Sequence, residues 1–165
     1  MEESIRSVDS ISDKIHEIVY QLRPSILDDL GLIRTVKWYV KQYKKRTNIS
    51  VAMEISNIEK RLNPAIEILL YRVIQEGLTN ITKHADANNV KIVMRKDSKS
   101  LKVIIADDGK GFDPEKLTKN PLDNSGLGIT GIRERLLDVD GKLKIDSKIG
   151  KGTKLIVIIP KEVCK

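Results

Sequence analysis

Leu101-Lys-Val-Ile-Ile-Ala-Asp-Asp-Gly-Lys-Gly-Phe112 is the stretch on which the fold turns. Residues 101–106 are largely apolar and rich in β-branched side chains, which predicts a strand. The strand runs into an acid, Asp107, and glycine then recurs at 109 and 111. An acid at the end of an apolar strand sits at a sheet edge, and the glycines after it let another group approach the backbone closely. Asp-Gly is also a common turn pair, so the string taken alone admits a plain-turn reading. Just before it, residues 90–95 predict a partner strand across the polar turn Lys96-Asp-Ser-Lys-Ser100. Just after it, residues 107–125 are rich in Gly, Pro, Asp and Asn. A loop of that length exceeds ordinary connections and predicts a functional lid.

Further out, Asn63-Pro64 opens a helix, because proline suits the first turn, where its missing donor goes unused. That helix turns Ile66, Leu69, Leu70, Val73, Ile74 and Leu78 inward and is expected to run to about His84. An earlier helix is predicted over 29–46, with Leu32, Val36, Tyr39, Val40 and Tyr43 on one face. Residues 49–55 alternate as a strand does. A helix over 127–137 and strands over 142–146 and 153–159, about the Gly150-Lys-Gly152 turn, complete the pass. At the start, Val8, Ile15 and Leu22 with Ile11 and Ile18 follow a heptad, the seam of a paired helix. The periodicity also suits an amphipathic helix on its own domain. It should stop near Arg23-Pro24. Helices followed by a mixed run of helices and antiparallel strands imply an α+β two-layer sandwich.

The chain has 165 residues, 40% hydrophobic and 32% charged, with a formal charge of +7. The length suits one domain with a short appended element. No apolar run reaches the roughly 18 residues of a membrane span, and the polar start lacks a signal-peptide core. The one cysteine, Cys164, excludes a disulfide framework and a cysteine-rich metal site, which fits a reducing cytoplasm. The positive charge invites a nucleic-acid reading, but the lysines are scattered and aromatics are 4%, too few for a base-stacking platform. A nucleotide triphosphate is also a polyanion and needs far fewer cations.

Three motifs carry chemistry. On the 63–84 helix, Glu76 and Asn80 are one turn apart and share a face, with Lys83 and His84 continuing it. Magnesium takes oxygen ligands and keeps several waters, so one amide oxygen plus phosphates can suffice, and Lys83 would answer phosphate charge. Any solvated helix face also looks polar. Asp107, when ionised, only accepts hydrogen bonds, which suits the exocyclic amine of adenine. Third, Ser125-Gly126-Leu127-Gly128-Ile129-Thr130-Gly131 opens a helix, where exposed amides and the helix dipole favour an anion. The string matches the Gly-x-Gly-x-x-Gly dinucleotide fingerprint, with Asp146 downstream. That fingerprint needs a buried strand directly before it, and Pro121-Leu-Asp-Asn-Ser125 is not one.

In this order, ending in a Gly-x-Gly-Thr turn before the last strand, the motifs resemble those of the GHKL ATPases: histidine kinases, type II topoisomerase ATPase subunits, mismatch-repair ATPases and the Hsp90 chaperones. Gln75-Glu76-Gly77-Leu78-Thr79-Asn80-Ile81-Thr82-Lys83-His84-Ala85 resembles the N box, Asp107-Asp-Gly-Lys-Gly-Phe112 the G1 box and Gly126-Leu127-Gly128 the G2 box. Leu22-Arg23-Pro24 with Leu27 and Gly31-Leu32, Lys83-His84-Ala85, and Gly131-Ile132-Arg133-Glu134-Arg135 resemble the NarL/DegS/DesK-type histidine kinases. The resemblance implies a Bergerat-type sandwich. It implies that Asn80 binds magnesium, that Glu76 supports the metal or its water, and that Lys83 and His84 contact phosphates. Asp107 would bind the adenine amine. Gly109, Gly111, Phe112, Gly126, Leu127 and Gly128 would shape the pocket and lid, and Thr153 would help hold the base.

The family's acceptor setting, Arg-x-x-x-x-Leu-His-Asp, does not occur; His16 stands where the second hairpin helix usually has a basic residue. The resemblance therefore implies that residues 1–28 are the second helix of a dimerisation hairpin and 29–165 the ATP-binding domain, from a longer protein. The implied activity is ATP-dependent phosphorylation of a histidine and transfer to a response regulator, in a cytoplasmic homodimer. The chain alone would bind ATP without autophosphorylating, with no nucleic acid or membrane contact. The alternatives are a non-kinase ATPase of the superfamily and a degenerate, nucleotide-free dimerising module.

Overall fold

The computed structural model describes residues 25–58, 61–114 and 127–164. The heptad helix, His16, Leu22-Arg23-Pro24, most of the expected lid and Gly126 lie outside the described residues.

Asn63 sets the start of the central helix, α2 (Pro64–Asn80): its Oδ1 accepts from Ala65 N at 2.9 Å, and Pro64 fills the first turn. The six inward residues expected of this helix are buried, and Tyr71 joins them. An α-helix was expected to continue to His84. Instead it widens into a π turn, Ile81–Ala85, closed by Asp86 in the left-handed region (φ 51°). The Thr82 hydroxyl lies 2.9 Å from the Tyr43 hydroxyl and 3.1 Å from the Leu78 carbonyl, which ties this turn to helix α1 (Ser25–Thr47).

Helix α1 begins four residues before the expected Asp29 and is interrupted at Gly31, whose φ of 74° is not helical. The cause is Arg61. Its guanidinium donates to the Asp28 carbonyl (3.0 Å) and the Leu27 carbonyl (3.2 Å), and its stem lies where a side chain at 31 would go. Beyond the break, Leu32, Val36, Val40 and Tyr43 are buried, and the Tyr39 and Tyr71 rings meet edge-on at 5.8 Å.

The strands are β1 (Ser50–Ser56), β2 (Asn89–Lys96), β3 (Ser100–Asp107), β4 (Lys142–Ser147) and β5 (Thr153–Pro160). They form one sheet in the order β1-β2-β3-β5-β4. Only β1 and β2 run parallel; the other neighbours are antiparallel. Alternation sends Val90, Ile92, Met94, Val103, Ile105, Leu155 and Val157 to one face, all buried under the helices. Helix α3 (Leu127–Leu137) packs there through Ile132 and Leu136, and a closing turn, Lys161–Cys164, buries the thiol. The architecture is the two-layer α+β sandwich expected from the sequence.

Candidate nucleotide site

At its C-terminal end α2 presents Glu76 and Asn80, both half-buried. The Asn80 Nδ2 donates to Glu76 Oε1 at 3.1 Å, as one-turn spacing allows. With its nitrogen committed, the amide keeps its oxygen, which meets no donor among the described residues, open to a cation. Gly128, near the start of α3, lies directly against this carboxylate: a methyl group there would overlap Glu76 Oε1. The N-box helix and the glycine-led helix thus meet at Glu76. Leu127 is the first residue of α3.

The second group forms where β3 ends. Asp107 is half-buried and accepts from Gly109 N at 2.9 Å. Burial raises its pKa above the ordinary carboxylate value; the backbone amides of Gly109 and Thr153 oppose the rise, and Asp108 adds to it. Its neighbour is the reverse. Asp108 is exposed and accepts from Asn88 N, Asn89 N and Asn89 Nδ2, and the Asn89 bonds foremost hold its pKa down. Of the two neighbouring acids, Asp107 is the half-buried one.

Backbone contacts join the two groups. The Ala85 carbonyl, ending the π turn, accepts from Lys110 N at 2.7 Å and leaves no room for a side chain on Gly109. Gly111 has φ 60° and packs against the Lys148 and Gly152 carbonyls, while Gly152 packs against the Asp107 carbonyl. Sequence reasoning missed Ser147. Its hydroxyl accepts from Phe112 N (2.9 Å), donates to the Gly152 carbonyl (3.1 Å) and lies 2.9 Å from the Thr153 hydroxyl. A small hydroxyl on a strand carries no pattern that could have marked it. Lys83 and His84 are exposed on the π turn, so the spacing that carries them past Asn80 is wider than the α-helical spacing expected.

The residues suit magnesium held mainly by a phosphate ligand. Among the described residues no cluster of three or more acidic, His or Cys side chains could bind a metal alone, and Asn80 with Glu76 offers the sparse oxygen set that a hydrated cation tolerates.

Residues 65–163 match the family of histidine kinase-, DNA gyrase B- and HSP90-like ATPases, and the chain belongs to that family. Within it, the chain is 36% identical over 155 residues to the signal transduction histidine-protein kinase/phosphatase DegS of Brevibacillus brevis. The match covers 94% of this chain and 39% of that protein, so the chain spans well under half of its relative. The histidine kinase domain of a blue-light activated histidine kinase from Erythrobacter litoralis has the same fold. Its TM-score is 0.60 at 20% identity, over 76% of this chain and 58% of that one. Full-length ShkA, solved in complex with AMPPNP, matches with a TM-score of 0.63 at 18% identity, over 79% of this chain and 29% of that one. Among the described residues, no helix is long and apolar enough to cross a membrane.

Proposed function

We propose that this chain is the ATP-binding catalytic part of a two-component sensor histidine kinase. It positions the γ-phosphoryl group of ATP for transfer to a histidine on the dimerisation hairpin, and from there to an aspartate of a response regulator. The observation that carries this reading is the chain of contacts that joins the four motif segments. Gly128 lies against Glu76, the Ala85 carbonyl lies against Gly109 and Lys110, and Thr153 lies beside Asp107.

In this reading the Asp107 carboxylate accepts the exocyclic amine of adenine, and Thr153, steadied by Ser147, lines the base. The Asn80 amide oxygen and Glu76 would hold a magnesium ion, which neutralises phosphate charge when bound. Lys83 and His84 would answer the phosphate charge from the π turn, and Gly109, Gly111, Phe112, Gly126, Leu127 and Gly128 would shape the pocket and lid. Chemistry of this kind is chiefly positioning and charge neutralisation. The reading divides the chain into a hairpin helix over 1–28 and the catalytic domain over 29–165, within a cytoplasmic part of a homodimeric parent.

The test has two arms. Calorimetry should give magnesium-dependent ATP binding that is lost in Asn80→Ala; wild-type metal dependence in that variant would remove Asn80 from the site. Labelled ATP with the first hairpin helix supplied in trans should yield acid-labile phosphate. ATP turnover without it would point to a non-kinase ATPase, and no ATP binding at all to a degenerate module.

A further inference from the structure

The face of the sheet turned away from the helices is covered by no described element, and its charges are not evenly spread. At one end they cancel: Lys91 pairs with Glu54 at 2.6 Å, and Lys154 stands opposite Asp146. At the other end they do not. Arg95 of β2 stands opposite Lys102 of β3, Lys102 opposite Ile158 of β5, and Ile158 opposite Lys142 of β4. One row across four strands thus reads cation, cation, apolar, cation. The next row places Ile104 and Ile156 side by side and ends on Lys144. Among the described residues no ion pair reaches these four cations. Asp97, the acid of the adjoining turn, is held chiefly by the amides of Lys99 and Ser100, and Arg95 adds only the smallest of the attractions on it. Like charges directly opposite one another weaken a sheet, so the row carries a cost that an anionic partner would relieve.

We propose that this row is a docking surface for an acidic amphipathic helix of a partner protein. Strands lie about 4.8 Å apart, so the four side chains stand at roughly 0, 5, 10 and 14 Å along a line. A helix rises about 1.5 Å per residue, so positions i, i+3, i+7 and i+10 of one face fall at roughly 0, 4.5, 10.5 and 15 Å. The matching pattern is acid, acid, apolar, acid: carboxylates meet Arg95, Lys102 and Lys142, and an apolar side chain meets Ile158. The apolar position between cations favours a patterned helix over a bilayer here, because lipid headgroups answer the summed charge and carry no apolar side chain at a fixed spacing for Ile158.

The probe is a labelled peptide of roughly 18 residues, long enough to form a helix, with Glu at i, i+3 and i+10 and Leu at i+7. Its control has the same composition with those four residues spread around the helix. Anisotropy titration should show the patterned peptide binding at least about tenfold more tightly than the control, and weakening with salt. The double substitution Lys102→Glu and Lys142→Glu should abolish that preference while ATP binding, remote from this face, persists as the check on folding. Equal binding of the two peptides, or preference surviving the reversal, overturns the proposal. So does co-sedimentation with vesicles of about 30% anionic phospholipid that the reversal abolishes while neither peptide binds, which would make the face a membrane surface.

Discussion

Helix α2 carries two glutamates nine residues apart, and the protein treats them in opposite ways. Glu67, in the first turn, is 2% exposed, and its oxygens are filled by the chain itself. Oε1 accepts from Arg61 Nε (3.0 Å) and Leu62 N (3.1 Å), and Oε2 accepts from Arg61 Nη2 (2.9 Å). Glu76, near the other end, is half-buried, and among the described residues its one donor is the Asn80 amide. A buried carboxylate is tolerated only when paired and hydrogen-bonded, so the first belongs to the architecture. The second is left with acceptor capacity, which is what a cation would need. Two identical residues on one helix are told apart by what remains unsatisfied.

Removing each carboxylate tests the contrast. Glu67→Ala strands the Leu62 amide and half of the Arg61 fork, and should lower stability by about 3 kcal/mol in urea unfolding. A loss under about 1 kcal/mol would put Glu67 on a level with Glu76 and erase the distinction.

At the proposed site, Asp107→Asn should weaken ATP binding by about 1–3 kcal/mol, read by calorimetry, because in that role the amide would mismatch the adenine amine. The pH dependence follows from the raised pKa of Asp107. In the proposed role the ionised form accepts the adenine amine, so acidification should weaken wild-type binding, starting at higher pH than for an ordinary carboxylate. The Asn variant should lack that acid limb. The same shift works the other way on stability. The folded state holds this proton more tightly than the unfolded chain, so the contribution of Asp107 declines as pH rises from the unfolded value through the folded one.

The smallest effect on stability belongs to Glu76→Gln, which keeps the size and an acceptor oxygen. Its unfolding free energy should move by less than about 1 kcal/mol while magnesium-dependent ATP affinity falls. A large destabilisation with intact affinity would make Glu76 a second Glu67.

Much of this was legible in the sequence. The inward residues of α2 follow a 3.6-residue period, the strands alternate, and Asp107-x-Gly109-x-Gly111 marks the end of a strand, so the sandwich could be read from spacing, while the grouping of the motifs rested on the family resemblance. Three features could not. The π turn at Ile81–Ala85 has no periodicity of its own, since one widened turn leaves the apolar pattern nearly intact. The break at Gly31 depends on Arg61, which comes from a distant part of the chain. The hydroxyl bridge of Ser147 joins loops that only the folded sheet brings together. Local patterns encode elements; contacts between loops emerge once the elements have packed.

The Arg61 clasp has a mechanical consequence. One guanidinium grips the carbonyls of Leu27 and Asp28 on one side and the Glu67 carboxylate on the other. From Glu67 to Glu76, α2 is a stiff strut of about 14 Å. A torque applied where α1 enters the domain therefore meets this ionic clasp at one end of α2 and the Tyr43–Thr82 hydroxyl contact beyond the other, so strain at the entrance and the posture of the Asn80 amide share one lever.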